Sequence, residues 1–443
     1  MKLELNVRSV LKVANPIMLG GFVQFILTFV DTAFLGHIGE LELNAAGNAG
    51  LIYITMFLVA QGLSEALQIL STRRLSENRG DAIKNLFWNA FFLLFICALL
   101  SFFLVGLLSN TYLPWITSDE TLVDAMDSFL SIRAFGYFFS ISQLALIAFY
   151  TGAANTKILA YSTTVLAFVN LVFDYLLIFG VGIFPEMGLE GAALASVIAE
   201  ITSLCFCVIY VRRDKKTMSL IGFNGFKLIG TEVKSLLRLG YPIMGQRFLA
   251  MSSWTIFFFL IEKIGRHELA ISQLIRSLYF LAFIPIMGFG TTAKTYVSHY
   301  MAKKEFGMVS NSIKYLVKVS LLVILVMIHG YILYPEVIIS VLTDDQQLIN
   351  DTAPVLKLVF FEAFIFMAAS VVSNAVSGVG DTKSAFIIEN VCIAIYLIVA
   401  YFVTVVYPQP IIIVWCMEFV YFSLLLLFSA LYFKIRPWQK INI

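Results

Sequence analysis

Twelve continuous apolar runs, each roughly 20 residues or longer, constrain this chain more than any other feature of it. They fall near 9–36, 43–72, 84–108, 124–150, 156–180, 187–211, 234–264, 268–298, 311–334, 348–376, 383–406 and 410–434. A run of that length crosses the hydrocarbon of a bilayer as an α-helix, with its backbone polar groups bonded inside the segment. A barrel is excluded, because its strands are short and alternate polar with apolar residues. Composition agrees: 60% of residues are hydrophobic and 13% charged, against about 45–50% and about 25% in soluble domains. The expectation is an all-α polytopic membrane protein with twelve transmembrane helices.

Lys2, Arg8 and Lys12 precede the first run, as in a secretory signal. The run is too long for one and lacks a clear cleavage pattern, so it counts as the first span. Net charge is +2, and no basic patch points to nucleic acid. The five cysteines lie inside apolar segments, and none of the four histidines has zinc-ligand spacing. Lys and Arg collect in alternate loops: Arg73, Arg74, Arg79 and Lys84, then "RRDKK" at 212–216, then Lys303 and Lys304. The intervening loops are acidic or neutral, as in Glu40, Glu42 and "SDETLVDAMD" at 118–127. The positive-inside rule then places both termini in the cytoplasm.

The longest polar stretch, about 212–233, lies halfway along the chain, and the two sides of it resemble each other. "NPIM" at 15–18 matches "YPIM" at 241–244, "IGELEL" at 38–43 matches "IGRHEL" at 264–269, and "GAANTK" at 152–157 matches "GVGDTK" at 378–383. All three pairs share one offset, 226 residues. Two six-helix lobes are expected, 1–211 and 234–443, joined by a cytoplasmic linker at 212–233. Six spans bring the second copy back to the same side, so the repeats are parallel, a transporter architecture with a site between lobes that rock.

The repeat also serves as a control for polar residues in apolar runs. Asp31, Asn170 and Asp174 map onto Phe257, Tyr396 and Ala400, so the fold itself does not require them. Intramembrane carboxylates are functional candidates by default. Asp31 lies about 9 Å inside one end of the first span, and Asp174 about 9 Å inside the same side on the fifth. Asn170 is one turn from Asp174 on its helix face, and Ser196 of the sixth span reaches a similar depth. Gln24 lies two turns from Asp31 on the same face. Two close carboxylates in low dielectric bind a proton readily, and the same oxygens suit a hard cation such as sodium. The residues leave both open, along with a purely structural helix bridge. Pro16 permits a bend in the first span; because Pro242 repeats it, the bend fits a hinge and plain architecture equally. Glu200, one turn below Ser196, extends the site, contacts a cationic substrate, or forms a structural pair. Arg247 and Glu389 are expected to pair with each other, and Arg276, Glu362 and Glu418 to form structural ion pairs.

Four motifs carry a family likeness: Pro16–Asp31–Gly36, "NLVFDYLLIFG" at 170–180, "GLEGAALAS" at 188–196 and "GVGDTK" at 378–383. Together they resemble the multidrug and toxic compound extrusion (MATE) transporters, and the acids of the first lobe make the chain most similar to the DinF-like branch. The resemblance implies an inner-membrane antiporter that exports organic cations against an inward flow of protons or sodium. It implies a first-lobe coupling site at Asp31, Asn170, Asp174 and Ser196, with Gln24 lining the adjacent cavity. The seventh span has Arg247 and no carboxylate before Glu262, so the second-lobe cation site of another branch is not expected. No cofactor is expected beyond the coupling ion, nor any metal beyond sodium at that site. The expected partners are the lipid bilayer and small organic cations, with the protein a monomer in a bacterial cytoplasmic membrane. A lipid-linked saccharide flippase of the same two-lobe form is the alternative; it calls for several cations facing the cavity. An integral-membrane enzyme is not expected, since no catalytic constellation stands at a membrane face.

Overall fold

The computed structural model describes residues 3–117, 119–222 and 227–441, with no side chain described for Glu40, Asp81 and Ile116. Lys2, Ser118 of the acidic loop and 223–226 of the linker lie outside the described residues. Twelve helical spans follow in order: α1 Val7–Ile38, α2 Glu40–Ser76, α3 Asp81–Phe102, α4 Glu120–Arg133 with Gly136–Gly152, α5 Lys157–Ile178 and α6 Gly188–Arg213. The second half continues with α7 Gly230–Glu262, α8 Arg266–Ala302, α9 Phe306–Ile328, α10 Gln346–Val379, α11 Thr382–Tyr401 and α12 Ile411–Trp415 with Met417–Ile435. Among the described residues, eleven spans are each long and apolar enough to cross a membrane, and α4 is a pair bent by 48°. The sequence gives no warning of that break at Ala134–Phe135.

The repeat is written into the backbone as well as into the motifs. Asp119 caps α4 by accepting from Thr121 N at 3.1 Å, and Asp345 caps α10 by accepting from Gln347 N at 2.9 Å. An aspartate in this place satisfies amide donors that have no partner inside the helix. Gly39 and Gly265 precede α2 and α8 with matching extended backbones. Asn78 and Lys304 both take φ 59° after α2 and α8. Each of these pairs is 226 residues apart.

Packing divides the chain into two compact units, Leu19–Met244 and Met1–Met18 with Gly245–Ile443. The cuts, after Met18 and after Met244, are again repeat-related, and each follows its helix proline by two residues, Pro16 in α1 and Pro242 in α7. The sequence copies 1–211 and 234–443 therefore trade their leading segments when they pack. Tyr300 OH donates to Leu3 O at 2.9 Å and Tyr296 OH to Ser9 Oγ at 3.1 Å, fixing the chain start to α8. In the other unit Arg74 and Glu232 pair at 2.6 Å, and the backbone of Met244 lies against Gly62, where a Cβ has no room.

The described part of the linker is ordered within Leu19–Met244. Asp214 caps a short helix, Lys215–Ile221, and accepts from Tyr150 OH at 3.0 Å. These bonds favour its ionised form, and they hold its carboxyl below the usual range despite partial burial. Trp88 Nε1 donates to Ile221 O at 3.0 Å, and Asn89 bonds Lys227 O and Ile229 N.

Candidate functional site

The acid residues of the first copy meet inside the unit Leu19–Met244. Asn170 and Asp174 sit one turn apart on α5, both buried, and Asn170 Nδ2 donates to Asp174 Oδ2. Ser196 of α6 donates through Oγ to Asn170 Oδ1 at 3.4 Å. The Asp31 carboxyl group of α1 is in hydrogen-bonding contact with that of Asp174. A line of polar groups thus runs Ser196, Asn170, Asp174, Asp31 across three helices. Asp31 Oδ1 ends it, buried and without a hydrogen-bond partner among the described residues. Leu27 is buried one turn away on α1, and Phe34 meets Phe179 edge-on at 5.6 Å. Two facing carboxylates in such a setting hold a proton between them or share a small cation, because both ionised and bare is costly in low dielectric.

Glu200 of α6 is not a free carboxylate. Arg133, the last residue before the break in α4, donates Nη2 to Glu200 Oε1 at 2.8 Å and Nη1 to Oε2 at 3.0 Å. Tyr53 OH donates to the same carboxylate at 3.0 Å and lies 3.1 Å from Ser140 Oγ. The guanidinium carbon sits 3.7 Å above the Tyr53 ring, which stacks on Tyr137 at 4.2 Å. A side chain at Gly136 would run into both Glu200 and Arg133. Arg133 also acts electrostatically on Asp31 and Asp174, so the ion pair belongs to the surroundings of the acid pair. Sequence reasoning passed over Arg133 and Tyr53. The available signal was an arginine three residues before a glycine inside an apolar run.

The remaining candidates lie apart. Gln24 is exposed on α1, and Pro16 lies inside the continuous α1 at the edge of the other unit. Glu389 of α11 accepts from Gln246 Nε2 and from Tyr421 OH at 3.5 Å, with Arg247 and Lys294 close enough to act on it. Glu362 and Glu418 overturn one expectation: their hydrogen-bond partners are the hydroxyls of Tyr279 and Tyr396, each at 2.7 Å, and not cations. The repeat partners of Asp31, Asn170 and Asp174, which are Phe257, Tyr396 and Ala400, are all buried.

The MatE family model matches residues 16–176 and 242–402, one match in each repeat. A probable multidrug resistance protein NorM of Thermotoga maritima is 23% identical over 410 residues, covering 91% of this chain and 86% of its own length. One from Synechocystis is 22% identical, covering 88% and 86%. Among solved structures, a MOP superfamily transporter from Pyrococcus furiosus described as having a binding pocket of reverse polarity superposes with a TM-score of 0.89 at 15% identity, over 98% of this chain and 96% of its own. The eukaryotic MATE transporter AtDTX14 gives 0.81 at 16% identity, over 97% and 96%.

Proposed function

Given that the chain belongs to the MATE transporter family, an integral membrane protein family without enzymatic activity, we propose that it is a secondary active antiporter exporting small organic cations, drugs among them, against inward flow of protons or sodium. One observation carries this reading: the polar line from Ser196 through Asn170 and Asp174 to Asp31, in a unit whose repeat copy keeps the helices and lacks these groups. The names of the relatives, multidrug resistance proteins, support the substrate class. The loop charges support both termini inside, the organisms of the relatives support a bacterial cytoplasmic membrane, and the first-copy acids support the DinF-like branch. The protein acts as a monomer. Gln24 borders the substrate path, Pro16 gives α1 its hinge, and Arg247 stabilises Glu389. Glu200 serves as the counter-ion of Arg133 and leaves the substrate to other groups. Nothing favours the flippase reading: Arg133 is held by Glu200, and Arg247 stands beside Glu389.

Coupling follows from differential affinity. An ion on the acid pair biases two conformations only if it binds them unequally, and the burial of Asp174 and of Asp31 Oδ1 in the conformation seen here supports such an inequality. Purified protein in liposomes loaded with ethidium, with proton and sodium gradients imposed separately, tests this. Wild type should respond to one gradient. Asp31→Asn and Asp174→Asn, at matched amounts, should lose gradient-driven efflux while still folding, since a neutral amide is cheaper to bury than a carboxylate. Substitutions at Phe257 or Ala400 that preserve volume should leave efflux within a few-fold of wild type. Wild-type rates in both aspartate variants would make the acids structural.

A further inference from the structure

The second copy has its own pair of buried acids, at positions unrelated by the repeat to Asp31 and Asp174. Glu362 lies on α10 and Glu418 at the start of α12; both are almost fully buried. Their relative height is set by their neighbours one turn further along. Phe366 of α10 stacks on Phe422 of α12 with ring centroids 3.9 Å apart, and the glutamates precede these rings by four residues each. Residues four apart share a helix face, so the two carboxyl groups meet at one level of the α10–α12 contact. Tyr279 of α8 donates to Glu362 Oε1 and Tyr396 of α11 to Glu418 Oε1. Glu362 Oε2 is buried and has no hydrogen-bond partner among the described residues.

Among the described residues, no cation compensates these charges. Of the ionisable groups on the surrounding helices, Tyr279, Tyr396 and Cys416 face the pair, and Tyr421 donates to Glu389 as well. Arg276, one turn from Tyr279, lies over the Phe258 ring at 5.1 Å. The rest of the wall is aromatic: Trp415 stands 6.4 Å from Tyr279 and 5.7 Å from Phe257, and its indole N–H donates to Ser272 Oγ. Two bare carboxylates in such a wall are strongly disfavoured. Each carboxyl group already accepts a phenol O–H, so a metal cation would have to displace those bonds to collect the oxygens it needs, whereas a proton leaves them in place. A proton on one of the two removes the repulsion and supplies the donor that Glu362 Oε2 lacks.

From this geometry we infer that Glu362 and Glu418 form a second proton-binding site, in the unit that contains α8 to α12. The proton comes from water, and its loss leaves a carboxylate; no other bond changes. The inference stands apart from the transport reading, because it is tested by the protonation of the pair and not by efflux.

The test is infrared difference spectroscopy of the purified full-length protein in lipid nanodiscs, titrated from acid to alkaline pH. The wild type should show a protonated-carboxyl carbonyl band that persists above the range of exposed glutamates. Glu362→Gln and Glu418→Gln should each remove it, and Asp31→Asn should leave it. Tyr279→Phe, which keeps both acids and the packing, should shift its frequency by removing one hydrogen bond. A band untouched by both glutamate variants, or unmoved by Tyr279→Phe, overturns the inference. So does a band abolished by sodium chloride and not by choline chloride, since the pair would then be a metal-cation site.

Discussion

Tyr53 and Tyr279 occupy the same place in the two copies, and each donates its hydroxyl to a buried glutamate. The glutamates, however, come from different helices. Glu200 reaches Tyr53 from α6, passing over Gly136; Glu362 issues from α10 at the repeat counterpart of Gly136 itself. One copy neutralises its carboxylate with Arg133. The other has Val359 at that position and sets a second acid, Glu418, nearby where the first copy has Ala192. The comparison teaches what a duplicated bundle holds in common. Turn geometry, the aspartate caps of α4 and α10 and the tyrosine are shared, while the charge partner of each polar cluster differs between the copies.

The largest expected effect comes from breaking the neutralised cluster. Arg133→Met leaves Glu200 buried without its cation, and stripping one partner from a buried pair costs about 3–5 kcal/mol. The variant should lose most of its yield and melt well below wild type in detergent. Replacing both residues, as Arg133→Met with Glu200→Met, should recover much of the loss, because an apolar pair of similar volume is often neutral or better. Glu362→Gln in the other copy should be neutral or stabilising, as it removes a charge that has no cation to lose. Equal destabilisation by Arg133→Met and Glu362→Gln, read as melting temperatures, would erase the contrast between the copies.

How much of this was legible in the sequence divides along physical lines. The twelve spans, the offset and the parallel repeat follow from hydropathy and self-similarity, which helices across a bilayer must display. The meeting of Asn170 and Asp174 follows from their spacing of four, and the approach of Asp31 to Asp174 and of Ser196 to Asn170 follows from depth along their helices. Side-chain partners across helices were less readable, because they depend on how each helix is rotated about its axis. Glu362 and Glu418 were expected to find cations and found tyrosines, two among 19 in the chain. Arg133 stands three residues before Gly136 in a long run, but that spacing marks neither the bend at Ala134–Phe135 nor a partner on α6. The trade of leading segments at Met18 and Met244 leaves no compositional trace either; only the prolines stand near it.

A smaller contrast lies at the start of α11 and of α5. Asp381 accepts from Ser384 N at 3.1 Å, from Ser384 Oγ at 2.8 Å and from Tyr432 OH at 3.0 Å. Its counterpart Asn155 makes no such cap, and α5 begins without a side-chain bond to its first turn. Asp381→Ala should therefore cost about 1–2 kcal/mol, while Asn155→Ala stays within about 0.5 kcal/mol. Thermal unfolding of the two variants in one detergent would sharpen the comparison; similar losses would mean that the cap of α11 carries little energy.

The finest contrast is a single backbone angle. α10 ends at Gly380 with φ 100°, and the repeat-related Ala154 after α4 holds φ 56°. Both are left-handed, a region in which a Cβ crowds the following carbonyl and costs roughly 1–2 kcal/mol. Glycine avoids that crowding, and it ends helices in this way throughout proteins. The second copy has the residue its turn asks for, and the first carries the strain. Ala154→Gly should relieve it, but the glycine adds freedom to the unfolded chain worth about 0.4–1 kcal/mol, so the net gain is below about 1 kcal/mol. Gly380→Ala combines the same two effects with the opposite sign, and should lower stability by a similar amount. Melting temperatures that move in opposite directions for the two exchanges would show that one turn is built twice, with a misfit residue in one copy. Movement in the same direction would show that the local packing of each turn outweighs its backbone angle.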